Sequence, residues 1–205
     1  MKHIAISFSL VCPEKRHFRE ALASIRMDSP WLLLIYTVPA KPTRKRAYIW
    51  REVKKIGAVY LRDGVCVLPE RPETVMAVDA IAARVREFDG DATVVTGARF
   101  DAARGEVVAA AFTSARAQEY AEVMREAERL LKHITHETNH RDFTFPELEE
   151  LEEDLTKLKR WMTQVQARDY FPDTSTTASA EQLVAQCEAA VAEFLEEAAA
   201  RDVAT

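Results

Sequence analysis

Residues 31–70, WLLLIYTVPAKPTRKRAYIWREVKKIGAVYLRDGVCVLPE, constrain the fold of this chain more than any other stretch. The apolar run Trp31–Val38 stops at Pro39 and has the length of one fully buried strand. Thr43 reads as the cap of a helix that continues to Gly57, where glycine supplies a stop. Ala58–Leu61 and Val65–Leu68 then flank Arg62-Asp63-Gly64, a glycine-bearing tight link that predicts a hairpin. Such an opening needs one more helix and strand to close its sheet, and both follow. Pro72-Glu73 starts a helix in which Val75, Val78, Ile81, Ala82, Val85 and Phe88 share one face. Asp89-Gly90-Asp91 ends it, and Ala92–Thr96 reads as a strand halted by Gly97. The order β-α-β-β-α-β predicts an α+β chain with a ferredoxin-like domain over residues 31–100.

From about Ser114 the apolar period becomes helical and stays so. Ala117, Tyr120, Met124, Ala127, Leu131 and Ile134 alternate steps of three and four, as do Leu148, Leu151, Leu155, Leu158, Met162 and Val165. Thr144, Pro146 and Glu147 have capping-box spacing at the start of the second helix. A third helix is expected from Ser179, carrying Val184, Cys187, Val191 and Phe194, after an exposed connector at 173–178. These patterns predict an all-α region over 113–200, either an antiparallel hairpin closed on itself or the seam of a homodimer.

The predicted helix at 43–57 is the first functional candidate. Ile49, Trp50, Val53 and Ile56 are expected on its apolar face, with Arg44, Tyr48, Arg51 and Lys55 on the opposite pole. Residues 41–62 hold eight Lys/Arg and one acid, Glu52, in a chain of net charge −5. A basic stripe whose sign opposes that of the whole chain suits nucleic-acid phosphates or another anionic partner. A solvated helix face that happens to be basic is the plainer reading. Arg46, near the apolar sector, is expected either to pair with an acid or to extend past Trp50. The helical half is acidic in turn, with fourteen Asp/Glu against five Lys/Arg in residues 144–205.

A second candidate is the stripe His133, Glu137 and His140, at i, i+4 and i+7, with His136 beside it. Imidazoles and a carboxylate on adjacent turns can ligate Zn, Ni or Cu. Histidines near a helix C-terminus are also favoured there by the dipole alone. No glycine-rich phosphate loop, GxSxG, HExxH or CxxC occurs, so neither a catalytic residue nor a resident cofactor is expected. Cys12, Cys66 and Cys187 are odd in number and lack metal spacing, which points to reduced thiols in a cytoplasm. No run approaches the roughly 20 apolar residues that a membrane-spanning helix needs. The first 30 residues read as a peripheral extension. Met27-Asp28-Ser29-Pro30 reads naturally as a start, so residues 1–26 are expected to be dispensable for stability, and an edge strand is the competing view because Ile4, Ile6 and Phe8 alternate.

Several separate motifs resemble the N-terminal domain of ChrB, a family of chromate-resistance regulators. They are the WLLL strand ending in Val-Pro, Arg46–Arg51, Gly57-Ala58, and the Leu61–Val65 hairpin ending in Leu68-Pro69. Downstream they include Glu119–Glu122, Phe143–Glu150, Leu158–Trp161 and Ala167–Phe171. The sheet half is also similar, at the level of fold, to the Cas2-like domain of PaaX regulators. The aspartate with which Cas2-type nucleases hold a metal is replaced here by Tyr36-Thr37-Val38, so no nuclease site is expected. The ChrB resemblance implies a transcription regulator that contacts DNA. A full ChrB protein carries a further C-terminal domain, expected to begin where this chain ends. The alternative is a protein-interaction module whose helical hairpins bind a partner bearing that missing domain, and an enzyme with an unrecognised site comes third.

Overall fold

The computed structural model describes residues 30–141 and 143–202. The extension read from residues 1–26 lies outside them. Among the described residues the chain is α+β and mostly helical, with one four-stranded antiparallel sheet and five helices. In chain order these are β1 (Trp31–Thr37), α1 (Thr43–Lys55), β2 (Val59–Arg62), β3 (Val65–Pro69), α2 (Pro72–Glu87) and β4 (Asp91–Ala98). Three long helices follow: α3 (Ala102–His140), α4 (Phe145–Ala167) and α5 (Thr174–Asp202). The strands lie in the order β2-β3-β1-β4.

Both faces of the sheet are covered, which is why β1 reads as continuously apolar rather than alternating. Leu32 and Leu34 of β1, with Cys66 and Leu68 of β3, pack against Ile49 and Val53 of α1 and Val78, Ile81 and Val85 of α2. On the other face Trp31 and Val67 meet Val108 and Phe112 of α3 and Phe171. The element that supplies this second cover was not expected, because α3 begins at Ala102 rather than near Ser114. Its first turns put Gly105, Val108, Phe112 and Arg116 inward, so glycine and arginine occupy core-facing positions and hide the apolar period. Asp101 caps this helix by accepting a 2.8 Å hydrogen bond from the Arg104 backbone N–H.

The three long helices bury one another. Tyr120, Val123, Ala127 and Ile134 of α3, Leu151, Leu158 and Met162 of α4, and Val184, Cys187, Val191 and Phe194 of α5 form one cluster.

Four local expectations need correction. Thr43 is the first helical residue and Pro42 the cap position, so the Thr43 hydroxyl caps nothing. Thr144 is the cap position of α4 but makes no side-chain cap bond, and Glu147, which would close the box, lies 2.9 Å from His133 instead. The expected connector at 173–178 is already the first turn of α5. Asp173 organises that turn, accepting hydrogen bonds from the Ser175 N–H and the Thr176 hydroxyl. Gly97 does not stop β4: it sits in a bulge with φ +66, where Thr96 and Gly97 together oppose Leu32. Elsewhere Gly57 acts as the helix stop. With φ +76 it donates to Lys54 O at 2.9 Å while Ala58 N–H donates to Val53 O, a Schellman ending for α1.

Candidate functional site

The helix α1 lies on the sheet through Ile49 and Val53, which leaves Arg44, Arg51, Lys54 and Lys55 exposed on its outer pole. Lys45 pairs with Asp89 at 3.1 Å, whereas the four outer cations form no ion pair among the described residues. Their charge is therefore open to a partner. Tyr48, assigned to the same pole from the sequence, is drawn sideways: its ring meets Phe88 edge-on at 5.7 Å and lies beneath Arg84 at 6.0 Å. It keeps an exposed surface but also fastens α1 to α2.

Trp50 departs from its expected apolar placement, being 53% exposed. At 100° per residue it falls about 60° beyond Val53, at the flank of the helix rather than over the core. There it borders a cleft of about 570 Å³ with Arg46, Tyr36, Tyr60 and Asp63. Arg46 is exposed beside Trp50 and without an ion pair among the described residues. Tyr36 and Tyr60 share a 2.7 Å hydrogen bond in the floor of the cleft. Burial raises both phenol pKa values, so the pair stays protonated at neutral pH. The cleft thus offers an aromatic face, a guanidinium and a phenolic donor side by side. This combination suits a planar or anionic group such as an unstacked base with its phosphate.

A largely buried ionic junction between sheet and bundle lies outside the motifs singled out as candidate sites. Arg116, only 4% exposed, donates from Nη2 to Glu119 Oε1 at 2.9 Å. Arg168 grips Glu119 Oε2 through Nε at 2.8 Å and Nη2 at 2.7 Å. The Tyr120 hydroxyl donates to Asp169 at 3.1 Å. Burial lowers the Arg116 pKa, with Glu119 opposing the shift. Next in sequence, the Tyr170 hydroxyl donates to Ile56 O at 2.8 Å, and Phe171 packs on Trp31 and Phe112. A Cβ at Gly57 would come within 2.8 Å of Arg168 Cβ. Motifs separated by more than 100 residues in sequence meet here. They hold the sheet to the bundle, and Ile56, Arg168 and Tyr170 also border an open cleft of about 460 Å³.

The histidine stripe divides. His133 Nε2 lies 3.7 Å from Glu137 and 2.9 Å from Glu147 of α4, so His133 and Glu137 are together. His140 is not with them. Two helical turns separate it from His133 by about 10 Å along the axis, too far for one ion. Its ring instead lies tilted against His136 at 4.0 Å, with Nδ1 2.8 Å from His136 O. The two described cysteines are core residues, as expected. Each thiol faces a backbone carbonyl, and burial pushes Cys66 up to about 12 and Cys187 to about 11.

The family described as Protein ChrB, N-terminal, matches residues 46–203 of this sequence. The chain belongs to that ChrB N-terminal family. Protein ChrB of Cupriavidus metallidurans is 31% identical over 99 residues, which is 48% of this chain and 30% of that relative. The chain thus aligns with less than a third of the relative's length. The ChrB match takes in Arg46, Trp50 and the basic pole of α1 from Arg51 onward, together with the Arg116–Glu119–Arg168 junction. It begins beyond β1, so Trp31 and Tyr36 lie outside it. No helix among the described residues is long and apolar enough to cross a membrane.

Proposed function

We propose that this ChrB-type chain is a non-enzymatic regulatory protein of a chromate- or metal-stress response, and that it contacts DNA through α1. The observation that carries the DNA contact is the exposed outer pole, Arg44, Arg51, Lys54 and Lys55, in a segment with eight cations and one acid. The regulatory setting rests on family membership. Tyr48 keeps a place at the margin of the interface, and the Trp50 cleft supplies a stacking face beside the phosphate-binding pole. We read the sheet as ferredoxin-like, on the element order and the strand order β2-β3-β1-β4. The same reading divides the chain into a sheet unit at 31–100 and a helical unit at 113–200, tied together by the continuous α3. A cytoplasmic setting accords with a DNA partner and with free thiols.

A helical protein partner or a homodimer seam is the second reading. The apolar stripes of α3, α4 and α5 already fill one another, so the exposed charge of α1 favours the first. The test is a mobility shift on the DNA upstream of the chain's own gene, repeated across a salt series. In the triple variant Arg44→Gln, Arg51→Gln, Lys55→Gln the log–log slope should shrink by about one for each phosphate left without its cation. Unchanged binding by this triple variant would move the interface away from α1.

A further inference from the structure

We propose that His133, Glu137 and Glu147 form a site for a divalent first-row cation that clamps the end of α3 to the start of α4. One donor atom from each residue lies within 4.8 Å of the other two, and all three side chains are partly buried. His133 Nε2 stands between the two carboxylates, 3.7 Å from Glu137 Oε1 and 2.9 Å from Glu147 Oε1. Donors bound at about 2.1 Å in a tetrahedral shell are roughly 3.4 Å apart, so small side-chain rotations close the set. The two helices bring these groups together for separate reasons. His133 and Glu137 are i, i+4 on α3, and Glu147 stands in the first turn of α4, turned away from the cap of its own helix.

The donor chemistry narrows the ion. One imidazole and two carboxylates, with both described thiols buried elsewhere, suit Zn²⁺, Mn²⁺ or Fe²⁺ rather than a thiophilic ion. Two carboxylates around one neutral imidazole carry a charge of −2, which a dication neutralises. A cleft of about 160 Å³ lined by Glu126, Arg129, His133 and Asp154 gives the imidazole a route to solvent. His136 Nε2, 3.9 Å from Glu137 Oε1, stands outside the triad, and His140 is held by the His136 carbonyl. The site therefore differs from a stripe on one helix: it needs α4.

The test is calorimetric titration of the metal-free full chain with Zn²⁺, paired with melting curves with and without the ion. The expected result is one ion bound at micromolar or tighter affinity, with a rise in melting temperature. Glu147→Gln and His133→Ala should each weaken binding by about tenfold or more and remove that rise, while His140→Ala leaves both within about twofold. Glu147→Gln keeps the size of the side chain, so it stays informative if His133→Ala fails to fold. Absence of Zn²⁺ binding by the unaltered chain would overturn the proposal and leave His133–Glu147 as an ion pair only. So would binding that survives Glu147→Gln, or binding abolished by His140→Ala alone.

Discussion

In the sheet layer the core comes from short apolar runs buried on both faces. In the bundle it comes from every third or fourth residue of three long helices. The two regions also carry opposite charge, basic along α1 and acidic along α4 and α5. A bundle can complete its own core, because each helix lends one stripe to the others. The sheet cannot, because α1 and α2 cover one face only, and the first turns of α3 must cover the other. The sheet therefore depends on the bundle's first helix in a way that most of the bundle does not depend on the sheet.

That dependence can be broken most severely at Phe112. Phe112→Ala should cost about 3–5 kcal/mol, and because α3 is continuous, sheet and bundle should unfold in one transition. Chemical denaturation followed by both tryptophan fluorescence and far-ultraviolet dichroism checks this, and two separated transitions would show that the regions are independent. Leu158→Ala, in the bundle alone, serves as the comparison. A smaller effect is expected at the close approach of the regions. Gly57→Ala forces a positive φ on a residue with a Cβ and sets that Cβ against Arg168, at a cost of about 1–3 kcal/mol in the same denaturation curves.

Alkaline pH sharpens the comparison from the sheet side. Burial pushes the folded Cys66 thiol up to about 12, above its unfolded value, so the folded state holds a proton that the unfolded state gives up first. This contribution is fully present below about pH 8.5 and is lost as pH rises toward 12, by on the order of 1 kcal/mol per pH unit. Cys66→Ala should flatten that alkaline slope in melts taken between pH 8 and 11. The smallest effect belongs to the exposed pole of α1. Exchanging Arg44, Arg51 and Lys55 for Gln should change stability by less than about 0.5 kcal/mol each, which thermal melts would resolve from a fold defect.

Legibility from the sequence followed the same division. Wherever one residue type repeated on one face, the element was readable: the α2 stripe from Val75 to Phe88, the α4 stripe from Leu148 to Val165, and the α5 residues Val184 to Phe194. The first turns of α3 were not, since Gly105 and Arg116 hold core-facing positions that periodicity counts as polar or flexible. Arg116 is compensated there by Glu119 on the next turn and by Asp169, which tertiary packing brings close. Of the candidate site, the basic pole could be read from charge and helical period together. Trp50 could not, because hydrophobicity alone assigns a tryptophan to the core, and only the sheet's position decides that it flanks the cleft. The partnership of His133 with Glu147 depends on how α3 and α4 align, which no spacing within one helix reveals.

The bulge at Thr96–Gly97 has a further consequence. β2 and β4 are the two edge strands of the sheet, and each carries a register irregularity against its neighbour, β4 opposite Leu32 and β2 between Tyr60 and Arg62. An edge with a regular row of unpaired amides and carbonyls invites another chain to add a strand, the usual route to runaway aggregation. Here both borders are short or kinked, and β2 closes on an arginine. Both borders of the sheet thus resist the addition of a strand from a neighbouring copy, which keeps closely spaced copies of the chain separate.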